Sequence, residues 1–184
     1  MRKLFVLTMP IILVIVAGMG RLPLGQVQNI TESNAELKTP EPDELIGRRF
    51  LDVREADPNG KYHRLSKYAG KGKWVLVDFW ASWCGPCKRE MPNVVAAYKK
   101  YHDKGFEIVG FSFDVDKDAW LNAIESWDMP WVHLSDLKGW ESQAGQVYGI
   151  RGIPDNILIN PNGIIVARDL RGAELEDKLS NYFR

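Results

Sequence analysis

Two stretches of this chain are apolar almost without interruption, and the rest is ordered around them. Trp74-Val75-Leu76-Val77-Asp78-Phe79 and Phe106 to Phe113 read as strands covered on both faces. Between them, Met91, Val94, Val95 and Tyr98 recur at helical spacing, which predicts a helix from Cys84 to Tyr101 with Pro92 inside it. Lys99 and Lys100 fall near its end, where they complement the helix dipole. Further on, Asp118 opens a helical pattern through Trp120, Leu121, Ile124 and Trp127. A short strand over Trp131–Leu134 and a short helix over Gln143–Tyr148 follow. Asn156–Ile159 and Ile164–Ala167 flank Asn160-Pro161-Asn162-Gly163, and Asn-Gly is a strong local signal for a hairpin turn. Ala173–Tyr182, with Leu175 and Leu179 on one face, closes the chain as a helix. Upstream, Phe50–Val53, the turn residues Asp57–Gly60, and Lys61–Leu65 predict an N-terminal hairpin. The order is hairpin, βαβαβ, then ββα: an α/β sandwich with a mixed sheet and helices on both faces.

The first residues follow a different pattern. Met1-Arg2-Lys3 is a basic head before the apolar stretch Leu4 to Met19, a length that suits an export signal and is marginal for a bilayer span. Residues 1–25 are read as a signal peptide, with an uncleaved membrane anchor as the second reading. Residues 26–44 are polar and show neither period, as a linker does, which leaves 45–184 as one domain. Either reading of the first segment places the domain outside the cytoplasm, in a periplasmic or other extracytoplasmic compartment where disulfides persist.

Composition narrows the function. Of 184 residues, 24 are Lys or Arg and 24 are Asp or Glu, so there is no basic excess to hold nucleic acid. There are two cysteines, Cys84 and Cys87. A bond across so short a loop restricts the unfolded chain little, so the pair is read as chemical rather than structural. A zinc site would need two more ligands, and none of His63, His102 and His133 falls at a ligand spacing from another. No metal or cofactor is expected beyond the redox disulfide itself. Each histidine is read as a surface or half-buried residue.

At the mouth of the predicted helix, Cys84 would face unpaired backbone N–H groups. A helix terminus favours a nearby anion by about 0.3–1 kcal/mol, up to ~2 kcal/mol when partly buried. That takes a thiol from about 8.5 to the upper sevens. Cys84 is therefore the candidate nucleophile, and Cys87 the sulfur that attacks the mixed disulfide and releases the reduced substrate. Asp78 interrupts a buried strand, so its pKa should be raised. Glu90, three residues past Cys87, falls one turn on and on the same side. Pro86 suits a first helical turn. Trp83 is read as an apolar platform beside the reactive sulfur, and Trp80 as core.

Phe79-Trp80-Ala81-Ser82-Trp83-Cys84-Gly85-Pro86-Cys87 resembles the active-site segment of the thioredoxin fold. The continuation Lys88-Arg89-Glu90-Met91-Pro92, together with Tyr148-Gly149-Ile150-Arg151-Gly152-Ile153-Pro154, resembles the exported TlpA/ResA-type thiol-disulfide oxidoreductases. The resemblance runs from about Gly47 to the C-terminus. It implies a thioredoxin-like fold with an N-terminal β-hairpin and a TlpA-type insertion between Asp114 and Tyr148. It also implies a cis-proline at Pro154, a proton-handling role for Asp78 or Glu90, and a substrate face formed by Trp83, Gly85, Pro86, Ile153 and Pro154. Asp155 departs from the family pattern, which has a small residue there. The implied activity is reduction or exchange of protein disulfides by a monomer supplied from a membrane electron donor, with cytochrome c maturation as one family-typical route. Alternatives are a disulfide-donating oxidant, a thiol peroxidase and a binding module without activity. Ala81, where a peroxidase wants threonine or serine, speaks against the peroxidase, and the intact cysteine pair against the binding module.

Overall fold

The computed structural model describes residues 42–183. The expected export segment, and all but the last three residues of the expected linker, lie outside them. Those three fall in a 3-10 turn, Pro42–Leu45. The elements that follow are β1 (Arg54–Ala56), β2 (Tyr62–Arg64), β3 (Trp74–Trp80), α1 (Gly85–Tyr101) and β4 (Phe106–Ser112). After these come α2 (Lys117–Ser126), β5 (Val132–Leu134), α3 (Gln143–Val147), β6 (Asp155–Ile159), β7 (Ile165–Arg168) and α4 (Gly172–Tyr182). Among the described residues, no helix is long and apolar enough to cross a membrane.

Five strands form one mixed sheet in the order β5-β4-β3-β6-β7, with β3 parallel to β4 and antiparallel to β6. The two apolar runs are its central strands, buried along nearly their whole length. Side chains alternate across the sheet. Phe79 therefore meets Tyr148, at the end of α3, with ring centroids 5.7 Å apart. Its neighbours Asp78 and Trp80 face the other way, where Trp80 meets Trp127, just past α2, at 5.4 Å. Trp74, on the same side as Trp80, stacks on Tyr182 of α4 at 3.9 Å. One face thus carries α1, α2 and α4, and the other carries α3 and the hairpin. Burial of each large apolar side chain in these layers contributes roughly 1.5–3 kcal/mol.

The N-terminal hairpin forms later in the chain than its hydrophobic pattern suggested. Its strands are Arg54–Ala56 and Tyr62–Arg64, whereas Phe50–Val53 is not a strand of it. The reason lies in the main sheet: Phe50 N–H donates to Gly163 O at 2.9 Å and Arg49 bridges Ile164, so this stretch borders the β6–β7 turn instead. The turn residues act as expected, with Asp57 Oδ1 accepting the N–H groups of Asn59 and Lys61 at 2.9 Å each.

The hairpin is joined to α3 by a side chain the sequence did not single out. Glu55 on β1 is fully buried. Its Oε1 accepts from Ala144 N–H at 3.0 Å and from Ser142 Oγ at 3.2 Å, while Oε2 has no partner among the described residues. Burial pushes this carboxyl up to about 7. His133 corrects the expectation of surface histidines. It sits in β5, buried between Trp80 and Trp131, and desolvation lowers its pKa to about 4.

Candidate active site

Topology gathers the predicted site residues at one end of the sheet. The loop leaving β3 carries Trp83 and Cys84. Because β6 runs antiparallel, with Phe79 opposite Asp155, its first residues and the Pro154 before them lie beside that same strand end. Parallel β4 also ends there, Ser112 opposite Trp80, so Phe113 and Asp114 emerge next to the loop.

Cys84 is the N-cap of α1, with extended backbone (φ −82°, ψ 98°), and its sulfur accepts the N–H of Cys87 at 3.1 Å. The two cysteines are joined in a disulfide with Cα atoms 5.2 Å apart. Both are buried, Cys84 with 4% of its surface open and Cys87 with 1%. Gly85 and Pro86 form the exposed first turn, where the N–H that proline lacks would have no helical acceptor. Lys88 and Arg89 are exposed.

Asp114, which the sequence reading passed over, braces this loop. It is buried, and its two oxygens accept Ser82 N–H at 3.2 and 3.0 Å, Ser82 Oγ at 2.5 Å and Ser112 Oγ at 2.7 Å. Trp83 is 54% exposed, and its Nε1–H donates to Phe113 O at 3.3 Å, which sets the ring's orientation. Ile153–Pro154 is a cis peptide bond. Pro154 is buried and its carbonyl accepts from Arg171 at 2.6 Å, while Ile153 is half-buried.

The two expected proton carriers are separated by their partners. Asp78 is buried on the α1 face, and its pKa is raised to about 7, first by desolvation, then by the charges of Glu90 and Asp155. Glu90 is half-buried and turned toward the start of α4: one oxygen accepts Gly172 N–H at 2.7 Å, the other Asn93 Nδ2 at 3.1 Å. It therefore caps a neighbouring helix and acts on Asp78 through its field. Asp155 opposes Phe79 and so lies on the α3 face. There it pairs with Arg168 at 2.5 Å, yet burial outweighs the ion pair and its pKa is raised. Nothing about the identity of Asp155 foretold Arg168, because the pair forms only in the β6–β7 register.

Relatives carry the same architecture. A profile of the AhpC/TSA family matches residues 46–168. The thiol-disulfide oxidoreductase ResA of Bacillus thuringiensis subsp. konkukian is 30% identical over 139 residues, spanning 76% of this chain and 77% of that protein. The ResA of Bacillus subtilis is 33% identical over 126 residues, spanning 68% of this chain and 67% of that one. Among solved structures, the thioredoxin domain of a thiol-disulfide oxidoreductase from Bacteroides vulgatus superposes with a TM-score of 0.69 at 34% identity, covering 76% of this chain and 98% of that one. A thiol-disulfide oxidoreductase from Bacteroides fragilis gives 0.68 at 31%, covering 73% and 99%. With its cysteine pair at the head of α1 and these relatives across the described domain, the chain belongs to the AhpC/TSA family of thioredoxin-fold proteins, as a ResA-like thiol-disulfide oxidoreductase.

Proposed function

We propose that this enzyme is an exported reductase or exchanger of protein disulfides, working through Cys84 and Cys87 with no other cofactor. The observation that carries the reading is the Cys84 sulfur at the start of a 17-residue helix, accepting the Cys87 N–H. In the dithiol form that placement favours the thiolate. Cys84 thiolate attacks a client disulfide, one client sulfur leaves as a thiolate, and a mixed disulfide remains. Asp78 carboxylate then takes the proton of the Cys87 thiol. The Cys87 thiolate attacks Cys84 Sγ, restoring the internal disulfide and releasing the second client thiolate. Two electrons pass from the cysteine pair to the client at each turn.

Asp78 is the group assigned to this proton transfer, because a carboxyl with a pKa near 7 gives and takes protons readily at neutral pH. Glu90, held by Gly172 and Asn93, is assigned to raising the proton affinity of Asp78. Gly85, Pro86, Ile153 and Pro154 are assigned, with Trp83, to the face that meets the client. Export rests on residues 1–25, and a membrane electron donor and cytochrome c maturation rest on the family resemblance. Alkylation of the dithiol form across a pH series tests the centre: Cys84 should react with a midpoint at or below the upper sevens, and Cys87→Ser should accumulate the mixed disulfide. A Cys84 midpoint near 8.5, with no mixed disulfide in Cys87→Ser, would remove the proposal.

A further inference from the structure

Among the described residues seven large hydrophobic side chains are exposed, and three of them lie together next to the loop that carries Cys84. Trp83 (54%), Trp140 (52%) and Val115 (70%) line one shallow depression with Phe113 beneath them. The Trp83 and Trp140 rings are 6.1 Å apart, and Trp140 stands edge-on to Phe113 at 5.2 Å. Trp140 belongs to the insertion after β5, in a 3-10 turn over Gly139–Glu141. This turn is held close. Gly139 has φ +59°, and a Cβ there would come within 3.1 Å of Val115 Cγ1, so the approach needs glycine. Ser135 Oγ donates to Ser112 O at 3.0 Å and accepts Leu137 N–H at 3.0 Å, fixing the insertion to the end of β4. Trp83 is likewise held by its bond to Phe113 O. Two exposed aromatic rings are thus fixed in place at little further cost in entropy.

We infer that Trp140, with Val115, extends the substrate face beyond Trp83 and selects client proteins bearing an aromatic or large aliphatic residue two positions from the reacting cysteine. The inference rests on the protein-disulfide reading above. The patch starts at Trp83, the residue before Cys84 on the loop that leads into α1. Its rim has one charge of each sign, Lys138 and Glu141, which favours a neutral occupant over a charged one. An extended client advances about 3.3 Å per residue and repeats its facing every second residue. A client with its cysteine on Cys84 therefore presents the side chain two residues away, roughly 7 Å off, to the Trp83–Trp140 pair.

The test uses the full chain in its dithiol form and symmetric disulfide dimers of short peptides, each peptide having one cysteine. One peptide has phenylalanine two residues before and after the cysteine, the other has serine. The wild type should reduce the phenylalanine dimer with a kcat/KM about tenfold higher, mostly through KM, the scale of one aromatic contact. Trp140→Ala should narrow the preference to about twofold, Trp140→Phe should restore most of it, and Val115→Ser, which alters a side chain open to solvent, should narrow it in part. Equal rates for the two dimers in the wild type, or an unchanged preference in Trp140→Ala and Val115→Ser, would overturn the docking assignment while leaving protein-disulfide reduction standing. Failure to reduce either dimer would instead defeat the protein-disulfide reading on which it rests. A concentration-dependent dimer in sedimentation, lost in Trp140→Ala, would assign the patch to a second copy of this chain and overturn the client.

Discussion

Two regions of the molecule bury a carboxyl whose pKa rises to about 7, for different reasons. Asp78 lies at the active-site end of β3, and after burial the next contributions come from two other carboxylates, Glu90 and Asp155. Glu55 lies in the seam between β1 and α3, where burial dominates and hydrogen bonds from Ala144 and Ser142 pull the other way. The first is surrounded by charge that repels its anion, the second by donors that hold it. Equal proton affinity therefore does not mean equal function. Asp78 lies on the strand that leads into the cysteine loop and is the group proposed above for proton transfer, while Glu55 joins two pieces of scaffold, β1 and the start of α3. Asp114 adds a third case, buried as deeply but satisfied by Ser82 and Ser112, and it braces the loop.

Removing each proton in turn separates the two carboxyls. Asp78→Asn should slow release of the mixed disulfide by about 10²–10⁴-fold, the usual contribution of a positioned acid–base group, without unfolding the domain. Single-turnover measurements with a peptide disulfide check it, and a loss below threefold would move the proton role elsewhere. Glu55→Gln should leave that rate alone and change stability instead. A carboxyl raised from 4.5 to about 7 on folding contributes stability that is complete below 4.5 and lost as pH rises through 7. The wild type should therefore lose on the order of 3 kcal/mol more than Glu55→Gln between pH 4.5 and pH 8, read from denaturant unfolding at each pH. Parallel stability curves for the two proteins would show that Glu55 is not the linked group.

Smaller effects should come from the charges around Asp78. Glu90→Gln removes the larger of the two and keeps an oxygen for Gly172 N–H, so the pH midpoint for mixed-disulfide release should move down by up to about one pH unit. Asp155→Asn, acting from the opposite face of the sheet, should move it down by only a few tenths of a pH unit. The order of the two shifts is the prediction. If Asp155→Asn gave the larger one, the field of Glu90 would not be what holds the Asp78 proton.

Much of this was legible in the chain. The two uninterrupted apolar runs are the central strands, and the Asn-Gly turn closes the β6–β7 hairpin. The cysteine spacing puts Cys84 at a helix start, because extended backbone at an N-cap and a proline in the first turn are local preferences. Other features were not legible. The hairpin strands shifted because Phe50 found a partner in Gly163, more than a hundred residues away. His133 lies in the short apolar stretch Trp131–Leu134, but only the packing of Trp80 and Trp131 around it shows that the ring is buried. Trp140 carries no local mark of its place beside Trp83, which the insertion sets.

Residues close together in the chain set element type, turn chemistry and the placing of the cysteine pair at a helix start. Long-range packing alone sets which carboxylates share a field, which one caps a distant helix, and which aromatic rings meet at the cysteine loop. Those depend on strand register and on burial, and both are set when segments far apart in sequence pack together. A carboxylate's proton affinity follows from its neighbours and its distance from water, which no local pattern records.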